Sequence, residues 1–133
     1  MGLISSKTHG ILDYAIGIML IVVPLTPDDI TKHREVWIAV IMGVIICLYS
    51  IFTNYELGRF KMLSMRTHLL LDIVSALLLA ASPWLFNFYE RIYLPFVLVS
   101  ILEIVVVLLS DRVAYRSKTI EANNKAAWPA HSQ

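Results

Sequence analysis

The chain has 133 residues, 58% of them hydrophobic and only 16% charged, which is far more apolar material than a soluble domain of this length needs for its core. Its formal net charge of +1, 11 Lys and Arg against 10 Asp and Glu, excludes a contiguous nucleic-acid-binding stripe, because the cations fall between and after apolar runs. The lone Cys47, inside an apolar run, excludes an intrachain disulfide and a cysteine-rich metal site.

The first apolar segment runs from about Thr8 to Leu25 and the second from Val36 to Thr53. The third runs from about Thr67 to Phe86 and the fourth from Ile92 to Ser110. At 1.5 Å rise per residue each reaches roughly 25 to 30 Å, near the hydrocarbon thickness of a bilayer. The expected fold is therefore an all-α polytopic membrane protein with four transmembrane helices. An open sheet in lipid would leave backbone groups unpaired, so the β-branched run Ile104-Val105-Val106-Val107 is expected to continue a helix. No small-residue cleavage pattern follows Pro24, and the first segment is expected to stay in the mature chain.

A phrase is written twice. Lys7-Thr8-His9 followed by Leu12-Asp13 returns 59 residues later as Arg66-Thr67-His68 followed by Leu71-Asp72, and Pro24 and Pro83 keep the same offset. Matching Asn54 with Asp111 makes the second turn two residues shorter. The reading is two helical hairpins, about 5–54 and 64–111, within one domain 1–118. Each unit crosses the membrane twice, so the copies have parallel topology and a pseudo-two-fold axis along the membrane normal. The polar, alanine-rich stretch 119–133 is expected to be a flexible tail.

One side of this arrangement carries Lys7, Arg59, Lys61, Arg66, Arg112, Arg116, Lys118 and Lys125, and the other only Lys32, Arg34 and Arg91. That bias favours both termini in the cytoplasm. Phe52, Tyr55, Phe60, Trp84, Phe86, Phe88, Tyr89 and Tyr93 lie near segment ends and are expected to anchor them at the interface.

His9, Asp13 and Gly17 are spaced four apart and share a helical face, as do His68, Asp72 and Ala76. A carboxylate near hydrocarbon is costly and needs a partner, so the four titratable residues read as a polar clamp. The alternative is a proton or cation path through them and Glu103, the one further acid deep in an apolar run. Small residues Gly17, Ser75, Ala76 and Ala80 suit close helix approach, with helices one and three as the expected central contact. Ser64, Ser82 and Ser110 read as caps or interhelical hydrogen-bonding groups, and His33 and His131 as solvent-facing. Thr26-Pro27-Asp28-Asp29 reads as a helix-breaking turn.

No cofactor is expected. Haem or a metal between His9 and His68 is the alternative: two imidazoles at one depth can oppose each other, and two His with two Asp complete a ligand set. The aspartates on the same faces oppose a macrocycle, and spacing does not establish that the helices converge. No catalytic residue is assigned, since HExxH, glycine-rich phosphate-loop and GxSxG patterns are absent.

Ser82-Pro83-Trp84, together with the paired His9/Asp13 and His68/Asp72 pattern, resembles the SPW-repeat family of small bacterial integral membrane proteins. In the first copy Val23-Pro24-Leu25 keeps only the proline. The resemblance covers roughly residues 5 to 112 and implies a four-helix membrane protein, with Pro24 and Pro83 at the repeat ends and Trp84 as an interface anchor. It implies no substrate. The expected function is a structural or accessory membrane protein, in contact with lipid and acting as a homo-oligomer or as a subunit of a larger membrane complex. The alternative is a proton-coupled carrier or small-ion conductor.

Overall fold

The computed structural model describes residues 3–25, 33–110 and 120–123. Helix α1 spans Ser6–Val22 and passes into a single 3-10 turn, Val23–Leu25. Helices α2 (Arg34–Phe52), α3 (Met65–Leu85) and α4 (Leu94–Leu109) follow, with no strand among the described residues. Ser6–Leu25, Arg34–Phe52 and Met65–Leu85 are long and apolar enough to cross a membrane; α4, at 16 residues, is shorter. The described residues form an all-helical membrane protein whose outward faces expose Ile18, Ile45, Leu77 and Leu98. The β-branched run 104–107 is helical, as expected, because helix geometry closes every backbone bond within the segment.

The repeated phrase starts both long helices in the same way. Ser5 Oγ accepts the Thr8 N–H at 3.2 Å, and Ser64 Oγ accepts the Thr67 N–H at 3.1 Å, so each helix opens on a serine N-cap. Positions 3–22 and 62–81 repeat their buried, half-buried and exposed pattern residue for residue. Along α2 and α4 the buried residues correspond at a shift of 57: Ala39 with Phe96, Gly43 with Ser100, Ile46 with Glu103, Tyr49 with Val106 and Thr53 with Ser110.

The principal helix contacts are α1 on α2 and α3 on α4. Gly17 accordingly faces α2, not α3: a Cβ there would lie 2.5 Å from Cys47 Sγ and 3.1 Å from the Gly43 carbonyl oxygen. The expected backbone approach of helices one and three at Gly17 is thus replaced by a Gly17–Gly43 contact within the first hairpin. Where two facing residues both lack side chains the backbones come closest, and sequence spacing within α1 does not reveal the glycine on α2. Ser75 and Ala76 are buried and Ala80 is half-buried.

Two apolar clusters fill the bundle. Tyr55, Met65, Leu69 and Val107 pack near the N-terminal ends of α1 and α3. Ile16, Leu20, Ala39, Ile46, Tyr49, Leu79, Phe88 and Phe96 fill the part toward Pro24 and Pro83. Two of the expected aromatic anchors therefore belong to the core, Tyr55 at 0% exposure and Phe88 at 5%. Proximity to a helix end does not decide which way a ring on a turn is directed. Phe52, Phe60, Trp84, Phe86, Tyr89 and Tyr93 are exposed.

Ser82-Pro83-Trp84 closes α3. Pro83 has no N–H to give the Leu79 carbonyl, and the Ser82 hydroxyl donates to that carbonyl at 2.7 Å instead. The carbonyl of Pro83 then accepts the Phe88 N–H at 2.9 Å, and Asn87 takes φ 55° to end the helix as a left-handed cap. Trp84 stacks with Tyr89 at 6.5 Å and 7°. In the first copy Val23 replaces the serine, and α1 tightens into a 3-10 turn at the same point. Ser82→Ala should cost about 1 kcal/mol in thermal or denaturant unfolding, and Pro83→Ala in that background should recover part of it by restoring the N–H. A Ser82→Ala variant as stable as the parent would contradict this pairing.

Candidate polar centre

Two short backbone stitches position the site. The Ile4 N–H donates to the Leu109 carbonyl at 2.9 Å, tying the entry to α1 onto the exit of α4. The Leu63 N–H donates to the Phe52 carbonyl at 2.9 Å, tying the entry to α3 onto the exit of α2. Each histidine-bearing helix start is thus brought beside a hydroxyl at the end of another helix. His9 meets Ser110 across hairpins, and His68 meets Thr53 across the loop 53–64.

His9 and His68 are both 0% exposed, with Asp13 at 6% and Asp72 at 4%. The shorter His–Asp bonds cross between the hairpins: His9 Nε2 to Asp72 Oδ2 is 3.0 Å and His68 Nε2 to Asp13 Oδ2 is 2.9 Å. Within each helix the pair is longer, 3.4 Å for His9–Asp13 and 3.4 Å for His68–Asp72. The two Nε2 atoms are 3.1 Å apart, and the rings meet edge to face at 74°. The i,i+4 spacing therefore places each aspartate opposite the other hairpin's histidine.

Two hydroxyls outside this set orient the rings. Ser110 Oγ donates its proton to the Val106 carbonyl at 2.6 Å, so at 2.7 Å it accepts from His9 Nδ1–H. Thr53 Oγ1 donates to the Tyr49 carbonyl at 2.7 Å and accepts from His68 Nδ1–H at 2.9 Å. Both imidazoles are assigned the Nδ1–H form by this network, which leaves each Nε2 facing the aspartates. Tyr49 and Tyr55 enclose His68, with ring centroids 5.2 Å and 5.6 Å away. Burial pushes the Tyr55 phenol above its ordinary range, so it stays neutral beside the centre.

Of the residues expected from the sequence, His9, Asp13, His68 and Asp72 come together. Glu103 is buried at 6% on α4, with Oε2 lacking a hydrogen-bond partner among the described residues. Ser64 caps α3, Ser82 bonds within its own helix and Ser110 bonds across helices. Thr53, Tyr49 and Tyr55 were not singled out by sequence for the site. Thr53 was legible: the alignment of Asn54 with Asp111 already sets Thr53 against Ser110. The two Nε2 atoms stand 3.1 Å apart, closer than two axial ligands on opposite faces of one haem.

At the far end of the bundle His33, Arg34, Glu35, Asn87, Phe88, Glu90 and Arg91 line an open cavity of about 440 Å³. His33 is half-buried there and Nδ1 meets Arg91 Nη1, so it is not simply solvent-facing. His131, the Thr26–Asp29 turn and the cations 112, 116, 118 and 125 lie outside the described residues, as does all of the expected tail but 120–123, which is helical.

A family model described as the SPW repeat domain matches residues 7–110. Among curated proteins and among solved structures there is no match.

Proposed function

This chain belongs to the SPW repeat family, and on that footing we propose that it is a small structural or accessory integral membrane protein, built from two parallel-topology hairpins clamped by His9, Asp13, His68 and Asp72. In this reading all four helices cross a bacterial inner membrane with both termini cytoplasmic, in keeping with the basic residues gathered on the side of Lys7, Arg59 and Arg66. The observation that carries it is the reciprocal pairing His9–Asp72 and His68–Asp13, which joins the hairpins where their helix backbones make few other contacts. Large apolar residues fill the bundle beyond the centre, which suits a support more than a conduit. The exposed apolar faces suit lipid, a second copy or a larger membrane complex.

Mild extraction followed by mass determination tests this: a defined oligomer or a stoichiometric complex is the expected result, and a monodisperse monomer with an activity of its own would overturn it. The second reading, a proton-coupled carrier or small-ion conductor, is favoured by one observation, Glu103 Oε2 on α4, buried without a hydrogen-bond partner among the described residues. It requires pH-dependent flux in vesicles that Asp13→Asn with Asp72→Asn abolishes in folded protein. On the structural reading those vesicles show no flux with or without the substitutions.

A further inference from the structure

We infer that the four-residue centre is a binding site for one divalent first-row transition metal, Zn²⁺ being the best match, held by His9 Nε2, His68 Nε2 and one carboxylate oxygen each from Asp13 and Asp72. The inference rests on the clamp geometry and is independent of what the clamp serves.

The first reason is the direction of the lone pairs. Ser110 and Thr53 have committed their own protons to the Val106 and Tyr49 carbonyls, so each fixes its histidine as an Nδ1–H donor. In the neutral imidazole the opposite nitrogen, Nε2, is then a bare donor of electrons. Two such nitrogens 3.1 Å apart, flanked by two carboxylate oxygens at 2.9 and 3.0 Å, require a proton or a metal ion between them. An outer hydrogen bond from the non-ligating ring nitrogen is how metal-binding histidines are ordinarily oriented.

The second reason is size. The four ligand atoms lie within 4.8 Å of one another, and the His–His and His–Asp separations run 3.1, 2.9, 3.0, 3.4 and 3.4 Å. Bonds of about 2.0–2.1 Å to a tetrahedral Zn²⁺ require ligand-to-ligand edges of roughly 3.3–3.4 Å. Movements of a few tenths of an ångström bring the five edges at the histidines to that length, and the two carboxylate oxygens must close by up to about 1.4 Å, from the 4.8 Å span, to complete the tetrahedron. Two imidazoles and two carboxylates are also a borderline-hard donor set, suited to Zn²⁺ and neighbouring metals and not to thiophilic Cu(I).

The third reason is charge. With both aspartates ionised and both histidines neutral, the charge at this site almost closed to water would be −2, and a divalent cation would cancel it. Two protons would cancel it as well, one on each aspartate donated to the facing Nε2 at 3.0 and 2.9 Å, and a divalent ion takes the place of both. One metal ion meets all four ligand atoms at once.

Full-length protein in detergent, stripped with a chelator and titrated calorimetrically with Zn²⁺ alone, should bind one ion per chain. Co²⁺ should bind in the same site with the visible spectrum of a tetrahedral centre and be displaced by Zn²⁺. Asp13→Asn with Asp72→Asn should abolish uptake. Thr53→Ala or Ser110→Ala, which leave all four ligands in place, should weaken it by about 10- to 100-fold at unchanged stoichiometry. Failure of folded parent protein to bind either ion overturns the inference, as does uptake that the Asp13→Asn/Asp72→Asn protein retains. If that double variant does not fold, Thr53→Ala decides: unchanged affinity overturns the site. A parent that binds no metal yet keeps its His9–Asp72 coupling would remove the metal and leave the clamp.

Discussion

His68→Ala is expected to destabilise metal-free protein by about 3 kcal/mol, measured by reversible unfolding in mixed micelles with helix content as the signal. The imidazole is fully buried and touches Asp13, Asp72, Thr53 and His9, so its removal takes the shortest partner from the Asp13 carboxylate and the donor from the Thr53 hydroxyl oxygen. Breaking a buried pair by deleting one partner costs about 3–5 kcal/mol in soluble proteins. The lower end applies here because helices unfolded within a membrane environment still find polar partners. His9→Ala should cost a similar amount, given its matching set of contacts with Ser110, Asp72 and Asp13. Double-mutant cycles sharpen the point: coupling of His9 to Asp72 at 3.0 Å should exceed coupling to Asp13 at 3.4 Å, although Asp13 is the residue one turn away. Stronger coupling within α1 than between hairpins would refute the crossed arrangement.

Gly58→Ala is the second large effect, again about 3 kcal/mol by the same measurement. A Cβ at Gly58 would fall 1.7 Å from the carbonyl oxygen of Thr53 and 3.5 Å from that of Ser50. Overpacking ordinarily costs about 1–3 kcal/mol, and the upper end applies when the obstacle is backbone, which cannot swing aside. Relief means moving Thr53, and with it the hydroxyl that orients His68. Gly58→Ala should therefore reproduce part of the His68→Ala phenotype from a loop position with no side chain in the centre. Gly10→Ala meets the Tyr55 ring at 1.9 Å, a side chain that can tilt, and should be milder. If Gly10→Ala proves the more damaging of the two, the backbone argument at Gly58 fails.

Much of the molecule was legible in the linear chain. Apolar runs of bilayer length define helices, because a backbone in lipid has no other way to satisfy its hydrogen bonds. The doubled His-Asp phrase fixed four of the centre's residues, since a costly carboxylate in an apolar run demands a partner and spacing of four puts a histidine on its face. The same arithmetic, pushed one residue further, reaches Thr53 from Ser110. The proline offset likewise locates the ends of α1 and α3, because a missing N–H must interrupt the ladder wherever it falls.

Only the tertiary structure decided who pairs with whom. Helical periodicity orders residues around one axis and carries no information about the distance to another axis. The sequence therefore made His9–Asp13 the natural pair, whereas packing made His9–Asp72 the shorter one. Packing also set Gly17 against Gly43 on α2, turned Tyr55 and Phe88 into the core, and brought the Ser110 and Thr53 hydroxyls to the outer nitrogens of the two rings. Each of these depends on where separate helices cross, a matter settled by the summed fit of many side chains and not by any local run of residues.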